Sequence, residues 1–181
     1  MTKARDIASA IPAPSTVSSA ELGYLDGVTS AIQTQIDAKA ASTTPTLTAP
    51  VVISPEERTT ISATAATGTV NYDASTQGVL YYTTNASGNW TLNVRGTSGT
   101  TLNSILTTGD AITVSFLVTN GSTAYYQTAF NIDGSVVTPK YSGGTAPASG
   151  NASAIDAYSY TIVKTANATF TVFGAGPVKY A

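Results

Sequence analysis

The feature that most restricts the fold of this chain is a series of short runs, from about residue 59 onward, in which apolar and polar residues alternate. In one run, the apolar residues Trp90, Leu92 and Val94 alternate with the polar residues Thr91 and Asn93. A period of two is typical of a β-strand with one buried face, because successive side chains point to opposite faces of a sheet. Trp90 shares the apolar face and is predicted to lie in the core.

Similar runs recur at intervals of about ten residues, separated by Gly, Asn, Asp and Ser, and they predict about nine strands. Besides the Trp90 run, they cover Thr59–Thr64, Gly68–Asp73, Val79–Thr84, Ile112–Thr119, Ala124–Ile132, Ser135–Lys140, Ala157–Ile162 and Thr169–Phe173. No helical pattern alternates with these runs. The fold class that they favour is mainly β, with an antiparallel β-sandwich or jelly-roll-like C-terminal domain.

Turn and loop residues mark the connections of this domain. Asn120-Gly121 and Asp133-Gly134 each stand between apolar runs and have the composition of tight hairpin turns. Residues 141–151 are rich in Gly and Pro, which predicts a long loop instead of a central strand.

The first forty residues have a different pattern, which predicts a short helical N-terminal arm. Its apolar residues recur at spacings of three and four, as a narrow helical stripe does: Leu22, Leu25, Val28, Ile32 and Ile36. A helix this short needs support, and a copy of itself would supply it, so these five are the candidate oligomerisation residues. The alternative is that the stripe packs on the chain's own β domain. The predicted organisation is an arm over 1–40, a linker over 41–58 and a β-sandwich over 59–181.

Composition excludes several kinds of chemistry. The chain has no His and no Cys, so it has neither disulfides nor the imidazole or thiolate ligands of ordinary zinc, copper and haem sites. Only 10% of the residues are charged, with 8 Lys+Arg against 10 Asp+Glu, which is not the basic pattern of a nucleic-acid-binding protein. The apolar runs are far shorter than the roughly 20 residues that span a bilayer. We expect no metal, cofactor, nucleic-acid partner or membrane insertion.

An enzyme is not favoured either. Two carboxylates placed across a glycosidic bond could hydrolyse it, and the carboxylates considered are Glu56, Glu57, Asp73, Asp110, Asp133 and Asp156. Asp110 and Asp133 lie beside Gly residues near predicted strand ends, where a turn explains them. We therefore assign no catalytic residue.

Tyrosines are better candidates for ligand binding. In the pairs Tyr81-Tyr82 and Tyr125-Tyr126, strand alternation must send one ring of each pair to either side of a sheet. Tyr141 stands beside the Gly/Pro-rich loop. The candidate ligand-binding residues are Tyr82, Tyr125 and Tyr141.

Several segments of the chain are similar to segments of known proteins. The segment Glu21-Leu-Gly-Tyr-Leu-Asp-Gly-Val-Thr-Ser-Ala-Ile-Gln-Thr-Gln35 is similar to one common in fibre and other virion proteins of tailed bacteriophages, and Lys3-Ala-Arg-Asp-Ile-Ala8 resembles the start of many of them. The segments Ile61–Asp73 and Val79–Arg95 are similar to a module of cyanophage structural proteins. All of these segments lie between residues 3 and 95.

The resemblance implies a virion appendage protein. It would be a homotrimer, assembled in the host cytoplasm, whose N-terminal arm trimerises or attaches to other virion proteins of the tail, neck or capsid. Its β domain would project outward. Two alternatives stay open: a receptor-binding module that adsorbs to host surface glycan, and a capsid decoration protein.

Overall fold

The computed structural model describes residues 53–181 and the single positions 20 and 51. The predicted arm with its oligomerisation residues Leu22, Leu25, Val28, Ile32 and Ile36 lies outside the described residues, and so does most of the linker. Residues Ser54–Ala181 form a compact unit. No helix in the described part of the chain is long and apolar enough to cross a membrane.

The unit is mainly β, as predicted. Its elements, in chain order, are β1 (Thr59–Ala65), β2 (Gly68–Asp73), β3 (Val79–Thr84), β4 (Trp90–Arg95), the short helix α1 (Leu102–Ile105), β5 (Ala111–Thr119), β6 (Gln127–Ile132), β7 (Ser135–Val136), β8 (Lys140–Tyr141), a 3-10 turn (Ser142–Gly144), β9 (Ile155–Ala166) and β10 (Thr169–Tyr180). Each predicted run contains a strand. The helix α1 has no counterpart in the alternation pattern.

The strands form two sheets whose pairing differs from the antiparallel arrangement predicted. The six-stranded sheet has the order β1-β3-β5-β9-β10-β8, and the four-stranded sheet has the order β2-β4-β6-β7. β1, β3 and β5 run parallel in one sheet, and β2, β4 and β6 run parallel in the other. From β1 to β6, successive strands alternate between the two sheets. Each strand in one sheet therefore also connects two consecutive strands of the other sheet, and this connection allows those two strands to run parallel. Antiparallel pairing joins β5 to β9, β9 to β10, and β6 to β7, so it does not extend through the domain as in a jelly roll.

Parallel pairing in register places similar side chains beside each other. Asn71, Asn93 and Asn131 occupy equivalent positions on three neighbouring strands. Asn93 Nδ2 donates to Asn71 Oδ1 at 2.8 Å, and Asn93 Oδ1 accepts from the Gly134 N–H at 2.9 Å. This asparagine row ties the stacked strands to the turn after β6.

The two sheets face each other as a sandwich, and one hydrophobic core fills the space between them. Trp90 of the four-stranded sheet packs edge-on against Phe116 of the six-stranded sheet, with ring centroids 5.8 Å apart. Phe130 and Tyr160 make a second contact between the sheets, at 4.6 Å. Trp90 is 1% exposed, which confirms its predicted place in the core.

The two predicted turns have different outcomes. Asp133 and Gly134 both have positive φ, 51° and 81°, and they connect β6 to β7 as a tight antiparallel hairpin. Asn120 does not lie in a hairpin, because β5 and β6 belong to different sheets. It is buried, and its side-chain amide donates to the Tyr125 carbonyl at 3.0 Å.

Candidate functional site

The outer face of the six-stranded sheet, the face turned away from the core, is the first candidate surface. Leu80, Phe116 and Tyr158 point into the core, so their neighbours along β3, β5 and β9 point outward. The outward positions of these strands and of β10 hold Thr, Ser, Ala and apolar residues, and none of these described positions holds an Asp, Glu, Lys or Arg. One charge lies at the edge of the face, because the exposed Lys140 of β8 pairs in register with the outward Phe173. A solvated sheet face is often charged, so this face is poorer in charge than most solvated faces.

Strand register joins apolar residues of this outer face into a continuous row. The row crosses five neighbouring strands and consists of Ile61, Tyr81, Leu117, Ala157 and Val178. At a strand spacing of about 4.8 Å it is roughly 19 Å long. Its ends are open to solvent, since Ile61 is 68% and Val178 51% exposed. A shallow depression of about 510 Å³ adjoins its centre at Leu117.

The size of the outer face suits an interface between proteins. Six strands at about 4.8 Å spacing and a length of roughly nine residues at about 3.3 Å give a face of about 24 by 30 Å, or roughly 700 Å². A stable interface buries about 800 Å² on each partner.

A side pocket is the second candidate site. It has a volume of about 190 Å³ and lies where β6 approaches the segment that connects β7 to the loop after β8. Its lining residues are Gln127, Thr128, Ala129, Phe130, Val136, Val137, Thr138, Pro139, Tyr141, Ala146 and Pro147. These described lining residues include no charged side chain.

A bulge in β6 directs Gln127 into the domain. Trp90 pairs with Gln127 and Thr91 pairs with Ala129, so Thr128 is an extra residue on β6. Gln127 is only 6% exposed, and its Oε1 has no hydrogen-bond partner in the described part of the chain. An unsatisfied buried acceptor costs about 1–3 kcal/mol. A bound molecule that donates a hydrogen bond to this oxygen would remove that cost.

Two tyrosines lie next to Gln127. Burial, and then the neighbouring Tyr141, raise the pKa of the Tyr160 hydroxyl, which therefore stays neutral at physiological pH. Gln127 also adjoins this hydroxyl, which makes no hydrogen bond of its own in the described structure. Gly174 lets both rings approach, because a Cβ there would lie 2.7 Å from Tyr141 and 2.8 Å from Tyr160.

The structure separates the three predicted tyrosines. Tyr141 lines the side pocket, whereas Tyr82 points inward and packs edge-on against Phe116 at 5.7 Å. Tyr125 precedes β6 and packs against the core. Tyr81 is the outward ring of its pair. Sequence reasoning missed Gln127, because the direction of its side chain depends on a bulge that alternation does not reveal.

Several of the carboxylates have structural partners. Asp73 forms an ion pair with Arg95 at 2.6 Å, and Asp110 accepts a hydrogen bond from the Thr107 N–H at 2.7 Å. Asp133 accepts from the first two backbone N–H groups of α1, at 2.6 and 3.0 Å. No cluster of three or more His, Cys, Asp or Glu residues that could hold a metal ion occurs among residues 53–181 or at the two other described positions.

Neither a protein-family model, a curated protein nor a solved structure matches this chain. The surfaces described above therefore carry the functional argument.

Proposed function

We propose that this chain is a structural component of a bacteriophage virion, a small fibre or appendage protein that works by self-association. The observation that carries the proposal is the charge-poor outer face with its apolar row. The resemblance of residues 21–35 to phage fibre segments supports the same role. In this proposal the arm of residues 1–40 attaches the chain to the tail, neck or capsid or helps it trimerise.

A second copy of the chain is a suitable partner for the outer face. Apart from Lys140 at the β8 edge, the described strands of this face offer no charge to pair with, so a charged partner would lose hydration over most of it without compensation. An identical face is equally poor in charge. In a homotrimer with threefold symmetry, each copy would turn this face toward the axis and cover it.

The test is the mass of the full-length chain and of two lysine variants in light scattering. Leu117→Lys places a charge at the centre of the apolar row, and burying it unpaired would cost several kcal/mol. The wild-type chain is expected to be a trimer and Leu117→Lys a monomer. Thr69→Lys is the matched control, since Thr69 is exposed on β2 in the other sheet, and it should remain trimeric.

A variant of the arm tests whether the arm or the outer face holds the copies together. Ile32→Asp combined with Ile36→Asp places charges in the apolar stripe. If this variant dissociates while Leu117→Lys stays trimeric, the arm and not the outer face holds the trimer. A wild-type chain that stays monomeric at high concentration would contradict self-association and favour the decoration alternative.

The glycan-binding alternative depends on exposed tyrosine rings. Tyr82, Tyr125 and Tyr141 are all partly buried and pack against the core. Tyr141 is the one of the three that lines a described pocket.

A further inference from the structure

We propose that the side pocket is a binding site for a single neutral sugar unit. This activity is separate from assembly, because none of the pocket residues belongs to the outer face. The inference begins with Gln127, which lines the pocket and whose buried amide oxygen lacks a hydrogen-bond partner within the described chain. A polar group held in this way at a cavity is suited to an incoming donor.

The absence of charged side chains among the described lining residues of the pocket favours a neutral ligand. The described lining side chains are amide, hydroxyl, aromatic and aliphatic groups. An ionised ligand would lose its hydration here without an opposite charge to replace it. Phosphorylated and carboxylated molecules therefore fit poorly.

The distribution of polar groups selects a ligand with both hydroxyl groups and C–H faces. Gln127 Oε1 needs a donor, and the hydroxyl of Tyr141 can donate or accept. Val137, Pro139 and Pro147 supply apolar walls. A sugar ring has hydroxyl groups at its edge and C–H groups on its faces. It can therefore hydrogen-bond with the polar side chains and pack its C–H groups against the apolar ones.

The volume sets the size of the ligand. About 190 Å³ corresponds to roughly six water molecules at about 30 Å³ each. One pyranose ring occupies a comparable volume, whereas a second ring would have to lie outside the pocket. The site is therefore that of one sugar unit, either free or at the end of a longer chain.

The experiment is saturation-transfer-difference NMR of the full-length protein with glucose, galactose, mannose and N-acetylglucosamine as probes. At least one of these sugars should receive saturation and show a Kd in the millimolar range. Ala146→Trp should fill the pocket and weaken that binding at least ~tenfold. Ala148→Trp is the matched control, because Ala148 is exposed on the same loop and does not line the pocket, and it should bind as wild type does.

Two results would overturn the inference. If none of the four sugars receives saturation from the wild-type chain, the pocket holds water only. If Ala146→Trp keeps its native amide spectrum and still binds as tightly as wild type, the sugar binds elsewhere. Neither result depends on the oligomeric mass, so this site and the proposed assembly can fail separately.

Discussion

Asp156 is a fully buried carboxylate that holds the long loop against β9. Its oxygens accept hydrogen bonds from Asn120 Nδ2 at 3.0 Å, from the Asn151 N–H at 2.9 Å and from Asn151 Nδ2 at 2.7 Å. Gly150 fits beside them, since a Cβ at that position would lie 2.8 Å from Asp156 Oδ2. A buried carboxylate is tolerated when such donors replace water.

Replacing Asp156 should therefore destabilise the domain. Asp156→Ala removes the acceptor of one hydrogen bond from Asn120 and of two from Asn151, and we expect a loss of ~3 kcal/mol in the free energy of unfolding. Urea denaturation followed by tryptophan fluorescence measures this loss. Asp110→Ala is the control, because Asp110 accepts one hydrogen bond in an exposed turn, and its loss should be about 1 kcal/mol or less. Equal losses in the two variants would show that the Asp156 contacts do not stabilise the loop.

Single residues differ in how far the sequence predicts their roles. Trp90 and the turn at Asp133-Gly134 are predicted correctly, because alternation and positive φ are local properties. The role of Asp156 depends on Asn120, which is distant in sequence and comes close only when β5 and β9 pair. No local pattern records that proximity.

Between elements, strand positions are predictable and strand partners are not. Alternation depends on one strand and its buried face, and so it locates β1 to β6 well. It contains no information on the direction of a neighbouring strand, which is why the parallel pairs were not expected. The sequence also does not reveal the apolar row on the outer face, because its residues become adjacent only through strand register.

Tyr72 connects β2 to the start of β3 and gives a test at the level of elements. Its ring is fully buried, and its hydroxyl donates to the Gly78 carbonyl. Burial raises the pKa of Tyr72 to about 12 from an ordinary value of about 10. The folded state thus holds the phenol proton more tightly than the unfolded state. This contribution to stability is complete below about pH 10 and is lost as the pH rises through about 12.

We therefore expect the free energy of unfolding to fall between about pH 10 and 12, by about 2 kcal/mol for Tyr72 alone. Denaturant titrations at several pH values measure this slope. Tyr72→Phe cannot ionise, so its slope should be smaller. It will not be zero, because burial also raises the pKa of Tyr158 and of Tyr160. An identical slope in Tyr72→Phe would contradict the contribution of Tyr72.

Across the described domain, stability differs between the edge and the centre of the six-stranded sheet. At the edge β1 pairs with β3 alone among the described strands, and most of its residues are exposed. In the centre β5 and β9 each have neighbours on both sides, and most of their inward residues are buried. A strand that buries little and pairs on one side opens more easily than a central one.

Hydrogen exchange of the full-length chain should reveal this gradient, the increase in local stability from β1 to the central strands β5 and β9. The paired amides of β5 and β9 should exchange only through global unfolding, and those of β1 through a local opening at least ~2 kcal/mol lower in free energy. The gradient should persist in the proposed trimer, because covering the outer face leaves the hydrogen-bonding edge of β1 unpaired. Measurement by mass spectrometry on both wild type and Leu117→Lys provides the comparison. If β1 exchanges as slowly as β5 in wild type but rapidly in Leu117→Lys, then association also pairs the hydrogen-bonding edge of β1, and the expectation that the gradient persists in the trimer is wrong.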